Sequence, residues 1–187
     1  YKRPLFDRLI RNVLSYTLPR PNVFLVLSIL TKIVKPFSFL FPSFIRNSLN
    51  LMPNKIPSKK IKDKKVHPSD GDKTIARVAL LTGCVQRVIS PEINDSTIRL
   101  LNRHNVEVVV LPEIDCCGSL NHHLGKKKLA HSSFKKNINL WHEEYLKNGL
   151  DAIISNTSGC GTTLKDYGFI FREDKALTKK AKKISEL

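Results

Sequence analysis

Between residues 76 and 161 three short apolar segments are each followed by cysteine, and this recurrence constrains the fold more than any other feature of the chain. Ala76-Arg77-Val78-Ala79-Leu80-Leu81-Thr82 runs into Gly83-Cys84. Glu107-Val108-Val109-Val110-Leu111 passes through Pro112-Glu113-Ile114-Asp115 into Cys116-Cys117-Gly118, and Asp151-Ala152-Ile153-Ile154-Ser155 leads to Ser158-Gly159-Cys160-Gly161. The segments are short, apolar and rich in β-branched residues, so they read as strands. Helical signals fill the gaps. Ser90 is placed as an N-cap with Pro91 at the first helical position, and Ile93, Thr97, Leu100 and Leu101 line one face. A long polar helical region is expected from about Leu120 to Lys147, ending at Gly149, and a helical tail closes the chain. Strand, helix, strand, helix, strand predicts the α/β class: a small parallel sheet with helical crossovers.

In a parallel sheet all three cysteine loops leave from the carboxyl ends of the strands, the edge where open α/β sheets place their ligands. Neighbouring strands lie ~4.8 Å apart, so Cys84, Cys116, Cys117 and Cys160 can meet at one point. Gly83, Gly118, Gly159 and Gly161 beside them are expected to turn the backbone sharply and let it approach a bulky cofactor. Backbone N–H groups there can hydrogen-bond sulfur and offset thiolate charge. Three donor sets compete. A structural zinc ion would take four thiolates, but such sites usually use C-x-x-C knuckles and this chain has none. A nucleophilic thiol would not require four cysteines. Adjacent cysteines suit an iron–sulfur cluster, where each thiolate takes a different iron. No secretory signal is visible, which favours reduced thiols over a disulfide framework.

Other candidates carry less. His122 and His123 follow the Cys-Cys-Gly loop and read either as a donor or ligand to a cluster or as capping and surface residues. Trp141 and Tyr145, four apart, read as core. Gly159-Cys160-Gly161 lacks the third glycine of a dinucleotide fingerprint, and no paired carboxylates or Ser/His/Asp set points to hydrolysis. No catalytic residue is assigned.

Residues 1–52 form a basic, proline-interrupted helical region preceding the α/β unit. Leu5, Phe6, Leu9, Ile10, Val13 and Leu14 share one helical stripe. The longest unbroken apolar run, Val23 to Leu27, reaches Leu30 through Ser28 and is far short of the ~18–20 residues that span a bilayer, so no transmembrane helix is expected. The region reads either as short helices packing on another domain or subunit, or as a basic amphipathic surface resting on a membrane. Residues 53–75, with Pro53, Pro57, Pro68, Gly71 and a run of lysines, read as a linker. Residues 76–187 are the cysteine-rich domain. The formal charge is +16, and residues 1–50 hold 8 basic side chains against 1 acidic one. That balance suits an anionic partner. No aromatic interleaving supports nucleic acid. The chain opens on Tyr1, as a piece of a longer polypeptide would.

The order Cys84 … Cys116-Cys117-Gly118 … Cys160 resembles the cysteine-rich CCG repeat of heterodisulfide reductase subunits and their relatives. The wording of the loops is similar to the glycolate oxidase iron–sulfur subunit family: Leu81-Thr82-Gly83-Cys84-Val85-Gln86, Cys117-Gly118-Ser119-Leu120-Asn121-His122-His123-Leu124-Gly125, and Ser158-Gly159-Cys160-Gly161-Thr162-Thr163-Leu164-Lys165-Asp166-Tyr167-Gly168. The resemblance runs over residues 76–187 and more loosely over the helices before them. It implies an iron–sulfur cluster of the 4Fe-4S type on the four cysteines and a role as electron-transfer subunit of a flavin-linked 2-hydroxy-acid dehydrogenase. The implied partners are a flavin-bearing catalytic subunit and a second flavoprotein-like subunit. The implied location is cytoplasmic, peripheral on the inner face of the cell membrane. Related CCG subunits serve lactate, glycerol 3-phosphate or disulfide reduction, and a zinc-stabilised binding module is the reading from another class. Thr163 stands where the fuller motif has its last cysteine, leaving four protein thiolates in this repeat. The ferredoxin-type C-x-x-C-x-x-C motifs that the family carries are absent from these residues.

Overall fold

In a computed structural model, which describes residues 3–50, 52 and 65–187, the three apolar segments become strands of one sheet. The elements, in chain order, begin with α1 (Leu5–Thr17), α2 (Pro21–Val34), a 3-10 helix (Lys35–Leu40) and α3 (Ser43–Asn50). The α/β unit follows: β1 (Val66–His67), β2 (Ala76–Leu81), α4 (Gln86–Ile89), α5 (Pro91–Arg103), β3 (Val106–Val109), α6 (Ser119–His123), α7 (Lys127–Asn148), β4 (Ala152–Ser155), α8 (Ser158–Ile170) and α9 (Thr178–Glu186). The sheet order is β1-β3-β2-β4. β2 is central and parallel to both β3 and β4, with Val78 opposite Val108 on one side and Ala152 on the other.

Alternation along the strands explains how the sheet is covered. Side chains on a strand point to opposite faces with a period of two. Val78, Leu80, Val108 and Val110 therefore pack with Ile98 of α5 on one face. Ala79, Leu81, Val109 and Leu111 pack on the other with Phe134, Ile138 and Trp141 of α7, Tyr167 of α8 and Ile184 of α9. Burying one such large apolar side chain contributes roughly 1.5–3 kcal/mol. Because both faces of β2 are covered, its sequence is almost continuously apolar. At the amino end of the strands Arg77 extends from β2 to Glu107, to the Gly149 carbonyl at 2.7 Å, and to Glu144 of α7 at 2.6 Å. Glu144 is 4% exposed, and Lys65 reaches it as well, at 3.3 Å.

Four features differ from expectation. Within the stretch read as a linker, β1 pairs antiparallel with β3, placing Val66 opposite Val109, and the Val110 N–H donates to the Lys65 carbonyl at 2.8 Å. The physical reason is the outer edge of β3, whose backbone groups need partners. Residues 53–64 of that stretch lie outside the described residues. The expected helical region from Leu120 to Lys147 is divided into α6 and α7 at Gly125, whose φ of +74° is left-handed. Ser90 precedes α5 as expected, but its side chain makes no capping hydrogen bond.

The fourth difference corrects the expectation that no segment is long and apolar enough to span a membrane. α2 runs directly into the 3-10 helix, so Pro21–Leu40 forms a helical stretch of 20 residues that meets that test by length and composition. Counting an unbroken apolar run missed it, because Ser28, Thr31 and Lys32 interrupt the run without ending the helix. The N-terminal helices are nevertheless tied to the α/β unit. Ser15 of α1, buried, donates to Asn121 of α6 at 2.6 Å, and Phe24 of α2 is buried.

Candidate metal centre

The three cysteine loops do leave the same sheet edge. In the register, Leu81 of β2 lies opposite Ser155 of β4, so Cys84 and Cys160 follow from adjacent strand ends. Cys116 and Cys117 follow β3 on the other side of β2. The Cys117 thiol donates to the Cys160 sulfur at 3.0 Å, well beyond the ~2.05 Å of a disulfide. All four cysteines are free. Cys116 and Cys117 are buried, and Cys84 and Cys160 are half-buried.

Hydrogen bonds among the four sulfurs shift their pKa values in opposite directions. Hydrogen bonds from Cys117 and Cys84, against the opposing effect of burial, lower the pKa of Cys116 to about 3. Its hydrogen bond to Cys116, and then burial, push the Cys84 thiol far up. Cys117 is pushed up by its bonds to Cys116 and Cys160 and then by burial. Cys160 is lowered because Cys117 donates to it, although burial works the other way. Hydrogen bonds thus link the sulfurs in the order Cys84–Cys116–Cys117–Cys160. Backbone amides add to it: Gly118 N–H donates to Cys116 Sγ and Ser119 N–H to Cys117 Sγ, both at 3.4 Å.

The glycines divide into two kinds. Gly83 and Gly118 have left-handed φ values of +71° and +87°. A Cβ at Gly118 would also stand 2.5 Å from the ring of Phe134, so this position is glycine for two reasons. Gly159 and Gly161 lie in the first turn of α8 with no positive φ, which corrects the expectation of a sharp turn there. A Cβ at Gly159 would meet nothing within 4 Å. His122 and His123 are both exposed, and the His122 ring lies 5.7 Å from that of Phe134. Among the described residues no hydrogen bond joins either imidazole to a cysteine. Trp141 is core, as expected.

Sequence reasoning missed two residues that hold the Cys116-Cys117 peptide in place. Asn137 of α7, 1% exposed, donates to the Cys116 carbonyl at 2.8 Å. The Tyr167 hydroxyl donates to the Cys117 carbonyl at 2.6 Å and accepts from Asn137 at 3.2 Å. The available signal was an asparagine inside the apolar stripe Phe134, Ile138, Trp141, since a buried amide without partners is costly. A cavity of about 200 Å³ adjoins Cys116, with Arg20, Asn121 and Lys136 in its wall.

These observations bear on what the sulfurs can hold. Among the described residues no three His, Cys, Asp or Glu side chains are grouped to hold a metal ion. A line of neighbouring sulfurs suits a polynuclear group better than a zinc ion, which draws four ligands toward a single centre. An all-sulfur donor set suits zinc or iron–sulfur chemistry, and amide hydrogen bonds to sulfur are among the features that tune iron–sulfur clusters. The residues present fit an iron–sulfur cluster.

Comparison with known proteins agrees with the donor set. Residues 78–165 match the CCG cysteine-rich domain family, and the segment carrying all four cysteines is a domain of that family. Over 186 residues, 100% of this chain and 42% of the relative, it is 33% identical to the glycolate oxidase iron-sulfur subunit of Escherichia coli strain K12. It is 31% identical over 143 residues to the probable glycolate oxidase iron-sulfur subunit of Bacillus subtilis strain 168, covering 76% of this chain and 31% of that protein. Lactate utilization protein A of Bacillus subtilis is 24% identical over 110 residues, 59% of this chain and 44% of that protein. The chain therefore spans less than half the length of these relatives. No solved structure matches it.

Proposed function

We propose that the chain is part of the iron–sulfur electron-transfer subunit of a flavin-linked 2-hydroxy-acid dehydrogenase, acting on glycolate. The observation that carries this reading is the line of four sulfurs, Cys84, Cys116, Cys117 and Cys160, at one sheet edge with two backbone amides directed at it. The four thiolates would hold a cluster of the 4Fe-4S type, which when bound supplies one-electron transfer. The chain's own residues have four tasks. All four cysteines give up their thiol protons on ligation, which requires thiolates. The amides of Gly118 and Ser119 stabilise charge on sulfur. Asn137 and Tyr167 hold the Cys116-Cys117 peptide in place. Gly83 and Gly118 shape the turns beside Cys84 and Cys117, while Gly159 and Gly161 flank Cys160 in the first turn of α8. Hydride removal from the 2-hydroxy acid belongs to a flavin-bearing partner subunit, with a second flavoprotein-like subunit beside it.

The proposed location is the cytoplasmic face of the cell membrane. Leu9, Ile33 and Phe39 are 59%, 66% and 69% exposed on the N-terminal helices, where basic residues outnumber acidic ones. An apolar surface with a cationic excess is complementary to anionic lipid. The division into a basic helical region at 1–52, a linker at 53–75 and a cysteine-rich domain at 76–187 is part of this proposal, with β1 (Val66–His67) lying within the linker.

The test combines the cluster-loaded subunit with its flavin partner under anaerobic conditions and follows visible absorbance after substrate addition. Glycolate should bleach the chromophore, and the isolated chain should show no glycolate-dependent dye reduction. The similarity to a lactate utilization protein supports a second reading, lactate as the substrate. Bleaching by lactate and not by glycolate would favour it.

A further inference from the structure

Asn94 lies in α5, away from the cysteines in sequence, and is fully buried at 0% exposure. Burying an amide without partners costs several kcal/mol, so its partners state what the residue is for. Its Nδ2 donates to the Thr82 carbonyl at 2.9 Å, two residues before Cys84. Its Oδ1 accepts from Gln86 Nε2 at 2.9 Å, two residues after Cys84. The same oxygen accepts from Asn156 Nδ2 at 3.1 Å, in the loop that leads from β4 to Cys160. Thr157 then donates through Oγ1 to Gln86 Oε1 at 3.1 Å and closes a ring. One buried amide thus grips the Cys84 turn from both sides and joins it to the strand end that leads into Cys160.

We propose that Asn94 is a positioning residue that fixes the separation between the Cys84 and Cys160 loops, and so preforms half of the cysteine site toward its cluster. This rests on the iron–sulfur reading above. The argument is geometric. The Cys116-Cys117 loop is held from the opposite side by Asn137 and Tyr167, whereas Cys84 and Cys160 sit on separate strand ends, half-buried. Backbone pairing between β2 and β4 reaches Leu81 and Ser155 and stops there. Beyond that point the Asn94 ring carries the connection between the two loops. A purely apolar helix face would seal α5 onto the sheet, as Ile98 does one turn later, without linking these loops. Partners that orient metal ligands typically cost 10–100-fold in metal affinity when removed.

The experiment uses the full chain, reconstituted anaerobically with ferrous iron and sulfide, in four forms: unaltered, Asn94→Ala, Asn156→Ala and Ile98→Ala. Iron and sulfide content, loss of visible absorbance to a chelator and the electron paramagnetic resonance spectrum of the reduced protein are recorded, with thermal unfolding of each apo form. Ile98→Ala loosens the same helix without touching the ring. Asn94→Ala should lose its cluster about 10–100-fold faster than the unaltered chain, with an altered resonance signature. Asn156→Ala, at an exposed position, should shift both readouts in the same direction by less. Ile98→Ala should lower thermal stability yet keep the unaltered signature and retention. If Asn94→Ala and Asn156→Ala behaved as Ile98→Ala does, Asn94 would be only a structural residue and the proposal would be wrong. If Asn94→Ala failed to fold and Asn156→Ala held its cluster like the unaltered chain, the proposal would fall too. Failure of the unaltered chain to take up iron and sulfide would instead sink the iron–sulfur reading and this inference with it.

Discussion

At the scale of single residues, the cysteine loops depend on groups other than the cysteines themselves. Gly118 illustrates this: its φ of +87° is strained for any other residue, and a methyl group there would collide with the Phe134 ring. Gly118→Ala should therefore destabilise the chain by about 2 kcal/mol or more, since a non-glycine residue in that region costs about 1–3 kcal/mol before any clash. Denaturant unfolding measures it, and an unchanged midpoint would show that the loop has another accessible conformation. Tyr167→Phe removes the donor to the Cys117 carbonyl and the acceptor for Asn137. A buried group left without a partner costs about 1–3 kcal/mol, so this variant should unfold earlier and lose its cluster faster than the unaltered chain. The cysteines were readable in the sequence because each follows an apolar strand. Asn137, Tyr167 and Asn94 were not, because their partners are backbone carbonyls and side chains distant in the sequence.

At the scale of elements, the sheet holds together at one end through charge and at the other through the cysteine loops. Glu144 is buried on α7, and that burial opposes its charge. Hydrogen bonds from Arg77, Asn148 and Lys65 outweigh the penalty and hold its carboxyl below the ordinary range. A carboxylate with a lowered pKa in the folded state contributes stability that is present above the unfolded value of about 4.3 and is lost as pH falls through the folded one. Glu144→Gln should accordingly flatten the loss of stability between neutral pH and acid, measured by thermal unfolding across that range. An identical acid profile for both forms would remove Glu144 from the account. The N-terminal helices offer a second test. Replacing exposed Leu9, Ile33 and Phe39 with glutamate should reduce sedimentation with anionic vesicles and leave the fold intact. Unchanged sedimentation would rule out these faces as the lipid contact. β2, β3 and β4 were legible from apolar runs of strand length. β1 was not, because two residues in a lysine-rich stretch become a strand only when the edge of β3 is beside them.

For the whole molecule, the architecture brings to one sheet edge four sulfurs that the sequence spreads from Cys84 to Cys160, and it supports them from both faces. α5 holds the Cys84 and Cys160 loops through Asn94, while α7 and α8 hold the Cys116-Cys117 loop through Asn137 and Tyr167. The fold class was legible because strand and helix signals alternate; the hydrogen bonds that link the sulfurs were not, since they follow from side-chain placement. The central claim is that these four thiolates share one iron–sulfur cluster. The most direct measurement is iron, acid-labile sulfide and zinc content per chain after anaerobic reconstitution, compared between the unaltered protein and Cys84→Ser, Cys116→Ser, Cys117→Ser and Cys160→Ser. The account predicts about four iron and four sulfide in the unaltered chain, little zinc, and loss of the visible chromophore in each variant. One zinc ion without sulfide, or full iron and sulfide in Cys84→Ser, would contradict it.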